Sequence, residues 1–332
     1  MHTFAEDRYE RMSFRRCGRS GLELPAISLG FWQSLAQPGK EDICRQCMHY
    51  AFDHGVTHFD LANNYGPPPG AAETIVGKIL RTMPRDELIV STKAGYYMWE
   101  GPYGEWGSKK YLVASLDQSL RRLGLEYVDI FYHHRPDPKT PLEETLGTLD
   151  LMVKQGKTLY VGVSNYRGKM FQQAVRIVRD HYWAPLTIHQ PYYHMLDRWV
   201  EKDLLDYTEK AGTGVIPFSP LGEGVLTDRY LKGLPPDSRM GRKGAEGQRW
   251  YDDLQQRGVW DKVRALSQIA QARGQTTAQL AITWLLRDRR VTSVLIGASG
   301  FEQLKENLAA ASAPPLSQDE LKRIDQIIEN GK

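Results

Sequence analysis

No stretch of this chain approaches the ~20 consecutive apolar residues that span a bilayer. The N-terminal Met-His-Thr-Phe-Ala-Glu-Asp-Arg lacks the apolar core of a secretory signal, and the C-terminal Glu-Asn-Gly-Lys carries no lipidation motif. A cytoplasmic protein without a membrane partner is the expectation. Charge of one sign is also scarce: 43 Lys and Arg stand against 40 Asp and Glu, a net +3. That balance argues against nucleic acid as a partner, which calls for a concentrated basic stripe. Cysteine is sparse, with only Cys17, Cys44 and Cys47. Cys44 and Cys47 form a C-x-x-C with His49 close by, yet no second Cys or His pair stands at the spacing of a four-ligand zinc site. They fall in an amphipathic stretch, 41–52, and read as buried free thiols. No metal is expected.

What is present is a repeating pattern. A hairpin is expected over 13–24, with its turn at 18–21. Eight short apolar runs follow, at 26–29, 57–59, 88–91, 128–132, 160–163, 186–188, 214–218 and 291–296. Each pair is separated by a stretch of helical periodicity, as in 110–123, where Leu112, Leu116 and Leu120 share one stripe. Strand and helix alternating eight times predict a closed parallel (β/α)8 TIM barrel. With the N-terminal β-hairpin and an extra C-terminal helix, it forms a single domain over 1–332.

Such barrels carry their sites at the C-terminal ends of the strands, and these ends are polar. In order they are Asp60, Lys93, His133–His134, Ser164–Asn165, Gln190, Ser219, and Gly297 with Ser299. Asp60, Tyr65 and Lys93 form the sharpest group. A phenol is a weak acid near pKa ~10, and a neighbouring ammonium lowers that value, turning Tyr65 into a usable proton donor. Asp60 would hold the ammonium, and His134 would orient a substrate carbonyl. A buried Asp–Lys pair without catalytic purpose is the competing account. Two connections are long. The aromatic loop 95–107 predicts a pocket wall from Tyr97, Trp99 and Tyr103. The loop 233–247, with Arg239, Arg242 and Lys243, is either a basic flap over a phosphorylated ligand or a solvated loop.

The segments Phe59-Asp60-Leu61-Ala62-Asn63-Asn64-Tyr65-Gly66, Ser91-Thr92-Lys93-Ala94-Gly95 and Asp129-Ile130-Phe131-Tyr132-His133-His134-Arg135 resemble the aldo-keto reductase superfamily. So do Val161-Gly162-Val163-Ser164-Asn165, Phe218-Ser219-Pro220-Leu221-Gly222, and Ile296-Gly297-Ala298-Ser299 followed by Gln303, Glu306 and Asn307. The likeness is strongest to its bacterial L-glyceraldehyde 3-phosphate reductase and potassium-channel β-subunit branch, through the stretches 62–70, 99–104 and 237–240. The resemblance implies an NADPH-dependent aldehyde reductase with a tetrad of Asp60, Tyr65, Lys93 and His134. Successive strand residues face opposite ways, so only one of His133 and His134 can enter the barrel; the family's spacing from Asp129 selects His134. By the same resemblance, Ser164, Asn165 and Gln190 hold the carboxamide of NADP(H), and Phe218 stacks on the nicotinamide. Ser219, Leu221 and Gly222 approach the pyrophosphate, and Arg229 stands among the cofactor residues where relatives often carry lysine. Ser299 and Gln303 meet the adenosine 2′-phosphate and Asn307 the adenine, with Gly297 and Glu306 among the cofactor-binding residues, and Gly30 and Trp32 sit beside the ribose or substrate.

A Rossmann fingerprint is absent, because Gly222-Glu223-Gly224-Val225-Leu226-Thr227 lacks the third glycine. The expected substrates are glyceraldehyde 3-phosphate, methylglyoxal and related small or aromatic aldehydes, and a homo-oligomer is compatible with the sequence. Two rivals stay open: a Schiff-base aldolase using Lys93, and a channel-associated binder of NADP(H) with little turnover. The resemblance favours catalysis, since the channel subunits typically carry asparagine where His134 stands.

Overall fold

A computed structural model describes residues 2–32 and 35–329. Residues 1, 33–34 and 330–332, the last three belonging to the C-terminal tetrapeptide discussed above, lie outside the described residues. The chain opens on the expected antiparallel hairpin, β1 (Phe14–Arg16) and β2 (Glu23–Pro25). Its turn requires glycine at 18: φ is +58°, and a Cβ there would lie 2.0 Å from the carbonyl oxygen of Gly212. Leu22 and Leu24 pack against Ile130, Ile188 and Ile216 inside the barrel, so the hairpin plugs the end where the strands begin.

Eight parallel strands follow in one sheet: β3 (Ile27–Gly30), β4 (His58–Asp60), β5 (Ile89–Ala94), β6 (Val128–His133), β7 (Thr158–Ser164), β8 (Leu186–Gln190), β9 (Gly214–Val215) and β10 (Val294–Ile296). β10 pairs with β3. At the other edge Thr292 N–H donates to Val215 O at 2.8 Å, and Leu295 N–H to Pro217 O at 3.0 Å. These contacts close the sheet on itself, giving the (β/α)8 barrel. The run 214–218 yields only two ladder residues because Pro217 has no N–H to donate.

Helices α1 (Glu41–Asp53), α2 (Ala71–Leu80), α3 (Lys109–Leu123), α4 (Leu142–Lys154), α5 (Gly168–Asp180) and α6 (Leu204–Ala211) connect successive strands. α3 is typical of how they form: Ser108 caps its first turn by accepting from Tyr111 N–H, and Leu112, Leu116 and Leu120 are buried as one stripe. α7 (Ala245–Gln256), α8 (Val259–Ala272) and α9 (Thr277–Leu286) lie between β9 and β10. α7 begins inside the stretch 233–247 that the sequence reading treats as loop. After β10 come α10 (Phe301–Leu308) and the expected extra C-terminal helix, α11 (Gln318–Glu329), packed on α8. Cys44 and Cys47 lie buried in α1, where burial pushes their thiols up to about 12 and about 11.

Candidate active site

Strand phase decides which polar residues meet. Along β6, Ile130 and Tyr132 belong to the barrel interior while Phe131 packs outward with the helices. His134, next in the inward series, enters the barrel mouth. His133 faces out, with Nδ1 2.7 Å from the Tyr166 hydroxyl. On β5, Thr92 faces out and donates to Glu73 of α2 at 2.5 Å, so Lys93 faces in.

There Lys93 is fully buried and all three ammonium protons have acceptors. Nζ forms a short ion pair with Asp60 Oδ2, donates to Leu61 O at 2.6 Å, and lies 3.4 Å from the Tyr65 hydroxyl oxygen. Asp60 Oδ1 accepts from Ser91 Oγ at 2.6 Å and from Gln190 Nε2 at 3.3 Å. The Tyr65 ring stands edge-on to the His134 ring, centroids 5.9 Å apart, and the Tyr96 ring approaches His134 at 4.7 Å.

Burial, reinforced by Asp60 and Tyr96, pushes the Tyr65 phenol well above its usual value near 10. The expected lowering by Lys93 is therefore reversed: Asp60 neutralises the ammonium, and desolvation disfavours tyrosinate. Burial pulls Lys93 below its usual value while Asp60 opposes it. Burial, then the Lys93 charge, keeps His134 well below its ordinary range, so its ring is neutral. His134 Nδ1 is buried with no partner.

Above this group opens a cleft of about 1180 Å³. Asp60, Tyr65 and His134 line it, with Lys93 buried beneath. Of the other expected residues, Gly30, Trp32, Asn165, Gln190, Phe218, Ser219, Leu221 and Arg229 line the cleft, as do Gly297, Ser299 and Gln303. Ser164 lies under the wall and donates to Gln190 O at 2.8 Å; Asn165 Nδ2 donates to His134 O at 3.1 Å. The turn after β9 is strained into positive φ at Ser219, Gly222, Glu223 and Gly224, a concentration of the kind found at ligand sites. Arg229 pairs with Asp237 at 2.9 Å. Arg239 lies over the Trp32 ring at 4.5 Å and lines the cleft with Arg242, whereas Lys243 pairs with Glu246 away from it. Ser299 Oγ donates to Gln303 Oε1 at 2.8 Å. Asn307 is buried with neither amide atom partnered, and neither it nor Gly222 lines the cleft.

Several expectations need correction. Tyr97, Trp99 and Tyr103 are absent from the cleft wall. Tyr97 and Tyr103 point to solvent, Tyr97 bonding Glu100 at 2.6 Å, and Trp99 packs on Tyr111. Tyr96 takes the expected place. The Glu306 side chain is exposed and off the cleft. Tyr192 also lines the cleft; its position two residues beyond Gln190 is the period-2 signal that would have found it. For Tyr96 no such spacing exists.

A sequence profile of the Aldo/keto reductase family matches residues 26–329. The chain is 52% identical to L-glyceraldehyde 3-phosphate reductase of Escherichia coli K12, covering 98% of this chain and 95% of that protein. It is 34% identical to a putative voltage-gated potassium channel subunit beta of Schizosaccharomyces pombe, covering 96% and 94%. Among solved structures, the thermostable aldo-keto reductase Tm1743, determined with the inhibitor epalrestat, superposes with a TM-score of 0.76 at 28% identity. That match covers 95% of this chain and 100% of the other.

Proposed function

The chain belongs to the Aldo/keto reductase family, a family of nicotinamide-dependent enzymes, and from that premise we propose that it reduces small aldehydes to alcohols with NADPH, Tyr65 giving the proton. The proposed substrates are glyceraldehyde 3-phosphate, methylglyoxal and related small or aromatic aldehydes. The enzyme acts in the cytoplasm as one barrel domain.

One observation carries the reading. Lys93 Nζ is directed at the Tyr65 hydroxyl oxygen, so that oxygen accepts on its buried side and its own O–H remains for a group in the cleft. Tyr65 is protonated at rest, as a donor must be. The nicotinamide supplies the hydride to the carbonyl carbon when bound. Tyr65 protonates the carbonyl oxygen, the C=O double bond becomes a C–O single bond, and the tyrosinate left behind gains the Lys93 ammonium as counter-charge. Neutral His134, beside Tyr65, orients the carbonyl oxygen. Trp32 and Tyr96 form the apolar wall around the substrate.

The cleft suits a large phosphorylated cofactor. Its rim carries Arg229, Arg239 and Arg242, the first two paired with Asp237 and Glu223 of the same rim, and buried Asn307, behind the wall, offers both amide atoms without an internal partner. Ser164, Asn165 and Gln190 would hold the carboxamide and Phe218 the ring face. Gly30 flanks the ribose, Ser219, Leu221, Gly222 and Arg229 hold the pyrophosphate, and Gly297, Ser299, Gln303 and Asn307 the adenosine phosphate end. The aldolase reading is disfavoured because Lys93 has no exposed surface and three acceptors on its protons. A Schiff-base lysine needs a free amine facing the substrate.

The test is Tyr65→Phe. Reduction should stop while NADPH still quenches protein fluorescence with unchanged affinity. A variant that keeps most of its reductase activity leaves the mechanism without its acid.

A further inference from the structure

Below the cleft lies a buried polar chain that the reduction, as described, does not use. Ser293, just before β10, is 2.6 Å Oγ to Oγ from Ser28 of β3. Ser28 Oγ is 2.9 Å from Nδ1 of His58 on β4, and His58 Nε2 is 2.9 Å from Ser91 Oγ on β5. Ser91 Oγ then reaches Asp60 Oδ1 at 2.6 Å. All five side chains have no exposed surface. The strands involved are neighbours around the barrel. His58 and Asp60 share the inward face of β4, and Ser91 and Lys93 that of β5, because both pairs are two residues apart.

The hydrogens in this chain can be placed by elimination. Asp60, paired with Lys93, is an acceptor only, so Ser91 must donate to it. With its hydrogen committed, Ser91 can only accept from His58, which fixes the proton on Nε2. Burial pushes His58 down to about 4, so the ring is neutral and Nδ1 carries a lone pair. Ser28 donates to that lone pair and accepts from Ser293. Every donor points toward Asp60.

We propose that His58 is a positioning residue for the proton-donor site, locked as its Nε2–H tautomer and acting through Ser91 on Asp60. A donating Ser91 engages Oδ1 and fixes the rotation of Asp60, leaving Oδ2 for Lys93. Lys93 is thereby held where its third proton meets Tyr65. The inference rests on the proposed role of Tyr65 and adds a second layer to it.

Two measurements test it on the full chain. In the wild type labelled with 15N-histidine, the His58 nitrogens should show a protonated Nε2 and an unprotonated Nδ1. An Nδ1–H ring overturns the proposal whatever the variants do. In Ser91→Ala, single-turnover reduction of an aldehyde by bound NADPH should slow about tenfold or more, the effect of losing one hydrogen bond to a charged group. NADPH affinity should stay within twofold. A rate within twofold of wild type, or rate and NADPH affinity falling together, overturns the proposal. Failure of the underlying reading looks different: Tyr65→Phe would remain active whatever the tautomer of His58.

Discussion

Lys93→Met is the perturbation that separates a counter-charge from a bystander. On the proposed mechanism reduction leaves a tyrosinate at Tyr65, and Lys93 Nζ sits 3.4 Å from that oxygen. At an effective dielectric near ~20, two unit charges at that separation attract by about 5 kcal/mol. Asp60, in contact with the same ammonium, offsets part of this, and about half is a reasonable remainder. Each 1.36 kcal/mol is a factor of ten in rate, so the single-turnover rate should fall roughly a hundredfold. Removing one partner of a buried pair also strands the other charge. The informative enzyme is therefore Asp60→Asn with Lys93→Met, which leaves no unpaired ion. The pH profile supplies the sign. Tyr65 titrates well above 10, and reduction requires its protonated form, so the wild-type reductive rate should show no Tyr65 limb from neutrality to about pH 10. A double variant within fivefold of wild type, or a wild-type reductive rate falling with unit slope between pH 7 and 9, would refute this account of Lys93 and Tyr65.

Further expectations follow from the same geometry. NADPH should be preferred over NADH, because Ser299 and Gln303 offer neutral hydrogen-bonding groups where an NADH enzyme places an acidic ribose anchor; equal catalytic efficiencies with the two cofactors count against it. Glyceraldehyde 3-phosphate, methylglyoxal and a simple aromatic aldehyde should all be reduced, and inactivity on all three with NADPH bound overturns the substrate assignment. Stability should fall on mild acidification. His58, His133, His189 and His194 are held down to about 4 by burial, so the unfolded chain binds protons that the folded one does not. Their contribution is complete above ~6.5 and is lost at about 1 kcal/mol per histidine per pH unit toward pH 4. Denaturant midpoints that stay flat from pH 7 to pH 4.5 contradict it.

The barrel was legible because each strand–helix unit repeats a local pattern that needs no long-range information. Leu112, Leu116 and Leu120 announce α3 by spacing alone, and Asp60 and Lys93 stand at strand ends because apolar runs stop there. The hairpin at 13–24 was equally local. What local pattern could not supply was which way an irregular segment turns. Tyr96, Tyr97, Trp99 and Tyr103 follow one strand in a loop with no period to sort inward from outward, and the structure turns only Tyr96 into the cleft. The stretch 233–247 failed for a related reason: the first turn of α7, rich in Gly, Glu and Gln, carries no apolar stripe, and Gly247 is its only buried residue.

The Tyr65 acidity shows a deeper limit. Read pairwise, a lysine near a tyrosine lowers the phenol's pKa, and the sequence contains that pair. The folded site adds two influences that no pair contains: complete desolvation of the phenol, and an aspartate bonded to the same ammonium. Their sum reverses the sign. A resting tyrosinate would be useless for reduction, so the reversal fits the chemistry better than the expectation did. On the proposed mechanism Lys93 then matters after the proton has left rather than before. Asp60 accepts from Ser91 and Gln190 through Oδ1, which leaves Oδ2 to Lys93. On the proposed mechanism, the geometry that suppresses ionisation of Tyr65 at rest is the same geometry that receives the charge when it forms.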